Sequence, residues 1–176
     1  LEKEFIMAQD LTLFNRVLFG IGVLALGLIA IFSLRYAENQ RTTVMDYVAA
    51  DSLIHQRWFQ NLDGTDSLQL SSYQGRDVIL VFWASWSEKS LDVLRGLDSL
   101  KLQRGDSLTI VAAAVKDNGA EARAYIDSTE HDFNYVDGTI HYLDLRLPGV
   151  PSAIRFNRNS KPVQILVGES QISKMQ

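Results

Sequence analysis

The run DVILVFWA, Asp77 to Ala84, constrains the fold more than any other stretch of this 176-residue chain. After its first position it holds only apolar residues, most of them β-branched or aromatic. That is the pattern of a strand buried on both faces, which occurs where helices cover a parallel sheet from both sides. A polar turn, SWSEKS, follows. Leu91, Leu94, Leu97 and Leu100 then recur every third residue, with Val93 beside them. This spacing predicts an amphipathic helix with one buried face. Gly96 interrupts it at a cost of about 1 kcal/mol relative to Ala.

The same alternation continues. LTIVAAAV, Leu108 to Val115, reads as a second buried strand. Asn118, with Glu121 three residues on, reads as the N-cap of a helix ending near Thr129. Phe133 to Val136 is a short third strand, and SAIRF (Ser152 to Phe156) and VQILV (Val163 to Val167) form a hairpin across NRNSKP. Ahead of Asp77, NLDG and GTDS are turns, Leu68 to Leu70 is a short strand candidate, and SSYQG is a turn or a single helical turn. From Asp77 the order is β-α-β-α-β-β, an α/β fold with parallel strands first and an antiparallel edge. The ESQISKMQ that follows Gly168 is shorter than a typical helix of about 11 residues. One sheet face is therefore expected to be partly uncovered, a condition that implies a partner.

Between Arg16 and Arg35 lies VLFGIGVLALGLIAIFSL, 18 residues without a charge. At 1.5 Å per residue it spans about 27 Å, roughly one hydrocarbon core. A cleaved signal peptide would have a shorter apolar region and small residues at its exit. Here the exit reads SLRYAEN, with Arg35 and Tyr36 at those places. The expected layout is a tail over 1–16, a transmembrane helix over 17–35, a stalk over 36–55 and a folded domain over 56–176. Lys3 and Arg16 precede the span and Arg35 and Arg41 follow it, so charge does not set its orientation. Gly20, Gly27 and Ala30 fall on one face of the helix, where another helix can approach closely. The expected partners are the lipid bilayer and the helices of other membrane subunits.

Composition excludes several functions. Formal net charge is −4, and from residue 56 onward 13 Lys and Arg face 15 Asp and Glu with no block of one sign. The electrostatic footprint of nucleic-acid binding is missing. The chain has no cysteine, which excludes disulfides, thiolate nucleophiles, iron–sulfur clusters and cysteine-based zinc sites. The three histidines, His55, His131 and His141, all lie outside the serine-containing turn, so a serine-hydrolase triad has no support. HDFNYVDGTIHYLD brings His131, Asp132, Asp137, His141 and Asp144 into one stretch. The lack of thiolates argues against a soft copper site. A His/Asp site for a harder ion is the rival to the commoner explanation, solvated loop charges. Neither a metal nor a cofactor is expected.

The run LSSYQGRDVILVFWASWSEKS resembles the membrane-tethered thioredoxin-like proteins of the TlpA/ResA type. In that family a Leu-Ser turn and a Gly precede a buried strand and F-W-A-x-W-C-x-x-C. LPGVPSAIRFNRNSKPVQILVG is similar to the family's G-V-P-T segment with its following strand, turn and strand. The resemblance covers roughly Trp58 to Gly168, and its two motifs fall in the family's order. It implies a thioredoxin-like fold, a central mixed sheet flanked by helices, behind one N-terminal transmembrane helix. It also implies a cis Val150–Pro151 bond, a domain on the periplasmic or equivalent side of a cell membrane, and a groove rimmed by Trp86, Val150 and Pro151. In relatives that groove binds extended polypeptide.

The departures bear on function. Ser87 and Ser90 stand at both cysteine positions, and Lys89 stands where the family has proline. Val93 and Val81 replace acids, and Arg95 replaces the helix proline. Nucleophile, resolving thiol and proton-handling carboxylates are missing together. A serine hydroxyl forms no disulfide and is a poor nucleophile without an adjacent base. No catalytic residue is expected, and Ser87 is expected to serve as a helix N-cap. The resulting expectation is a pseudoenzyme acting as an accessory subunit of a membrane complex. The alternative is a tethered polypeptide-binding chaperone or assembly factor that uses the former groove.

Overall fold

A computed structural model describes Arg16, residues 18–36, Val48 and residues 54–175. Most of the expected tail and stalk lie outside the described residues. The chain divides into two units, one up to Gln40 and one from Arg41 onward.

In the first unit, helix α1 (Leu18–Tyr36) has 19 residues, a mean hydropathy of 2.2 and no buried residue. It is long and apolar enough to cross a membrane by length and composition. A side chain at Gly20 or Gly27 would meet nothing within 4 Å, and Ala30 is likewise exposed.

The second unit has a thioredoxin-like fold. Strands β1 (Trp58–Gln60) and β2 (Ser67–Gln69) form a small antiparallel ribbon in which Phe59 faces Leu68. The main sheet contains β3 (Asp77–Trp83), β4 (Leu108–Ala114), β5 (Asn134–Asp137), β6 (Ser152–Phe156) and β7 (Pro162–Val167), in the order β5-β4-β3-β6-β7. β3, β4 and β5 are mutually parallel, β6 pairs antiparallel with β3, and β7 pairs antiparallel with β6. Helices α2 (Glu88–Arg104) and α3 (Gly119–Asp127) follow β3 and β4, α4 (Thr139–Asp144) follows β5, and α5 (Glu169–Ile172) follows β7.

Alternation along β3 builds two cores. Ile79, Val81 and Trp83 pack with Val93, Leu94, Leu97 and Leu100 of α2. Val78, Leu80 and Phe82 pack on the other face with Phe59, Leu70, Leu145 and Leu147. Val48 and Ile54, in the segment read as a stalk, are fully buried in this second core. Lys101 is nearly buried at the end of α2, where a charge persists only if paired. Its ammonium donates to the carbonyls of Gly105 (3.2 Å) and Leu108 (3.0 Å) and pairs with Asp132 at 3.1 Å.

The structure narrows the expectation of a partly uncovered sheet face: the central strands are covered, and the exposure that remains is at the edge, at Arg155 of β6 and Val163 of β7. Every residue of β4 is buried, and so is every residue of β3 after Asp77. The 17 residues of α2 cover most of the helical side. The short α5 completes it by placing a fully buried Ile172 against the same core. Two elements absent from the sequence reading are β1 and α4. The strand has only 3 residues and exists through its pairing with β2, and the 6-residue helix has no side-chain cap. The strand expected over Leu68–Leu70 ends one residue early, because Leu70 turns into the core and opens a single 3-10 turn.

Candidate functional site

The C-terminal ends of parallel strands are where open α/β sheets place their sites. Here β3 ends at Trp83 and gives way to the turn Ala84–Ser87. Ser87 is extended (φ −105°, ψ 103°), and its Oγ accepts the Ser90 N–H at 3.3 Å. Its carbonyl accepts from Ser90 (2.8 Å) and Leu91 (3.1 Å). Ser87 is thus the N-cap of α2, satisfying donors that a helix start leaves free. Glu88 in the first turn complements the positive end of the helix.

Ser90 is fully buried, and its hydroxyl has no hydrogen-bond partner among the described residues. Val81 and Val93, also fully buried, offer no carboxylate. Of the two serines, Ser87 therefore holds a helix cap and Ser90 a sealed hydroxyl, with no thiol to exchange.

The Val150–Pro151 peptide is cis. Pairing of Phe82 with Ser152 sets it at the same end of the sheet as Ser87. Ser152 Oγ donates to the Gly149 carbonyl at 2.6 Å, and the Pro151 carbonyl accepts from Gly168 N–H at 2.9 Å. Of the three residues expected at the groove rim, Trp86 is 62% exposed, Val150 is half-buried against the core and Pro151 is buried. Only Trp86 presents a large surface.

The sequence reading missed Asp117. One carboxylate oxygen accepts the Ser85 N–H (2.5 Å) and the other the Ser85 hydroxyl (2.6 Å). The following tie runs from Lys116 N–H to Thr139 Oγ1 (3.0 Å), and Thr139 N–H reaches Asp137 Oδ1 (2.8 Å). The turns after β3, β4 and β5 are thereby linked. The available signal was an acid just beyond the end of a fully buried strand, beside the end of a second one.

Trp83 lies beneath this turn. It packs on Tyr125 (5.4 Å between centroids) and Tyr135 (5.9 Å). His131 Nδ1 meets the Tyr135 hydroxyl at 3.0 Å. Burial lowers the His131 pKa and raises that of Tyr135. His141 instead packs on Phe59 and bonds the Trp58 carbonyl. Among the described residues no group of three or more His, Asp or Glu could hold a metal ion. A cleft of about 780 Å³ lies along α2 and the α3–β5 loop, lined by Arg95, Lys101, Tyr125 and His131. It does not include Ser87, Ser90 or Pro151.

No family model matches the chain, and no curated protein matches it either. Solved structures do. The chain is similar to a secreted disulfide oxidoreductase of Mycobacterium tuberculosis homologous to E. coli DsbE, at 14% identity and TM-score 0.57, covering 65% of this chain and 85% of that one. StoA from Bacillus subtilis matches at 16% identity and TM-score 0.55, over 68% of this chain and 92% of that one. A secreted thiol-disulfide isomerase from Corynebacterium glutamicum matches at 15% identity and TM-score 0.60, over 68% and 78%. At these identities the likeness shows the fold: thioredoxin-like, the architecture of thiol–disulfide oxidoreductases, here without their sulfur.

Proposed function

We propose that this chain is a redox-inactive, membrane-tethered thioredoxin-like protein that serves as an accessory subunit of a larger membrane complex. The observation that carries the reading is the fate of the two serines. The Ser87 hydroxyl is consumed as the cap of α2, and Ser90 is sealed beneath it. The frame of a redox site has become part of the helix start. The apolar helix α1 supplies a tether, and its face of Gly20, Gly27 and Ala30 supplies close contact with neighbouring helices. The neighbours with the same fold are secreted proteins in two of the cases above, which favours an extracytoplasmic domain.

Two measurements test this. Insulin reduction by the purified chain should equal buffer; a rate above background that disappears in Ser87→Ala would overturn redox inactivity. Gentle detergent extraction should bring partner subunits down at fixed stoichiometry. The second reading, a tethered polypeptide-binding chaperone, is favoured by the exposure of Trp86 at the former groove. It requires variable, substoichiometric clients and their loss in Trp86→Ala.

A further inference from the structure

We propose that His141 is an acid-released clasp that holds α4 against β1. His141 Nε2 lies 2.9 Å from the Trp58 carbonyl oxygen. A carbonyl only accepts, so Nε2 carries the proton and donates. In the neutral ring Nδ1 is then bare, and it is buried without a partner among the described residues. The ring lies 4.1 Å from that of Phe59, which closes one side with apolar surface. A second proton would go to Nδ1, where no acceptor and no water surface receive it. An unpaired charge in such a place is costly, so the protonated ring must turn outward and release Trp58.

The surrounding charges do not rescue the cation. Arg57, just ahead of β1, opposes it. Asp144 on α4 favours it but is engaged with Arg57 at 3.1 Å. Asp137, at the end of β5, also favours it but accepts the Thr139 N–H. Burial is the largest influence; it outweighs the bond to the Trp58 carbonyl, which by itself favours the cation, and the His141 pKa lies below the ordinary histidine value. The sign follows. Between the folded pKa and the ordinary value near 6.5, the released form binds more protons than the clasped form, so clasping weakens as pH falls through that window.

The inner side of α4 has independent anchors. Gly138 N–H donates to the Ala114 carbonyl at 2.8 Å, and Tyr142 packs on Phe82. Release is therefore local. It loosens the outer side of α4, which carries the exposed Ile140 and Leu143, and the connection that leads to Pro151. The clasp is a property of the fold and does not rest on the reading of Ser87 and Ser90.

The test is hydrogen exchange on the full chain in detergent at about pH 7.5 and about pH 5.5, corrected for intrinsic rates. Protection across Thr139–Asp144 should fall at the lower pH, by at most about tenfold, while β3 and β4 keep theirs. His141→Gln keeps a donor for Trp58 without titrating, so its α4 protection should change less than about twofold. Equal loss in wild type and His141→Gln would overturn the proposal. Imidazole nitrogen shifts provide a second reading on the wild-type chain. The Nε2–H tautomer, titrating below the ordinary histidine value, supports the clasp. The opposite tautomer, or an ordinary pKa, overturns it.

Discussion

Asp117 accepts both polar hydrogens of Ser85, the backbone N–H on one carboxylate oxygen and the hydroxyl on the other. The pair ties the turn after β3 to the turn after β4, across 32 residues of sequence. Hydrogen bonds to an ionised acceptor contribute about 1.5–3 kcal/mol. Asp117→Ala should lower stability by about that amount, because it leaves the Ser85 N–H unpaired. Asp117→Asn keeps one acceptor oxygen and should cost less. Denaturant midpoints of the two variants check the order, and equal losses would show that the geometry of the pair does not matter.

Ser87 and Ser90 should respond in opposite directions. Ser87→Ala removes the cap of α2 and should destabilise by about 0.5–2 kcal/mol. Ser90→Ala removes a buried hydroxyl with no partner and installs the best helix former, so stability should hold or rise by up to about 1 kcal/mol. Thermal or urea unfolding of the single variants separates these outcomes.

Introducing thiols should create a bond more readily than an activity. Ser87→Cys together with Ser90→Cys places two sulfurs at positions i and i+3 of one helix start, neighbours on its surface. Thiol titration after mild oxidation should find no free sulfhydryl. Insulin reduction should remain weak, because the buried Val81 and Val93 provide no proton acceptor. Vigorous turnover would mean that the missing carboxylates are dispensable here.

Gly138 is held by space and not by its backbone angles. Its φ is −108°, which any residue adopts. An added Cβ would lie 2.6 Å from Ala113 Cβ and 3.2 Å from Phe82 Cδ1. Gly138→Ala should therefore destabilise by about 1–3 kcal/mol through overpacking. Ala113→Gly in the same chain should recover part of the loss, read as a double-mutant cycle.

Assembly should depend more on the span than on the serines. Interhelical hydrogen bonds in membranes contribute about 1–2 kcal/mol at best, and close packing at small residues adds to them. Two neutral serine hydrogen bonds would bring only about 0.5–1.5 kcal/mol each, and Ser90 is sealed from any partner. Gly27→Leu should reduce co-purification more than Ser87→Ala with Ser90→Ala. The reverse order would make the surface around Ser87 the docking site.

The sequence alone determined the parts whose periodicity is strong. An unbroken apolar run cannot be half-solvated, so Asp77–Ala84 and Leu108–Val115 had to be central strands, and leucines at threes had to line one helix face. The Ser87 and Asn118 caps were legible because capping is local: each hydroxyl or amide reaches a backbone N–H only 2 or 3 residues on. The charge-free run after Arg16 was legible for the same reason, since length and apolarity are properties of a single segment.

Tertiary structure decided what depends on residues far apart. Three-residue β1 exists only because Phe59 meets Leu68, and α4 only because Tyr142 and Leu145 reach the core. Asp117 looked like one more loop acid until the sheet set its turn beside Ser85. The helical side of the sheet, covered mostly by α2, gains a further buried side chain, Ile172, at the end of a four-residue helix. Sequence spacing carries no information about such closures. They follow from where a parallel sheet brings chain ends together, and each depends on a few contacts that no local pattern encodes.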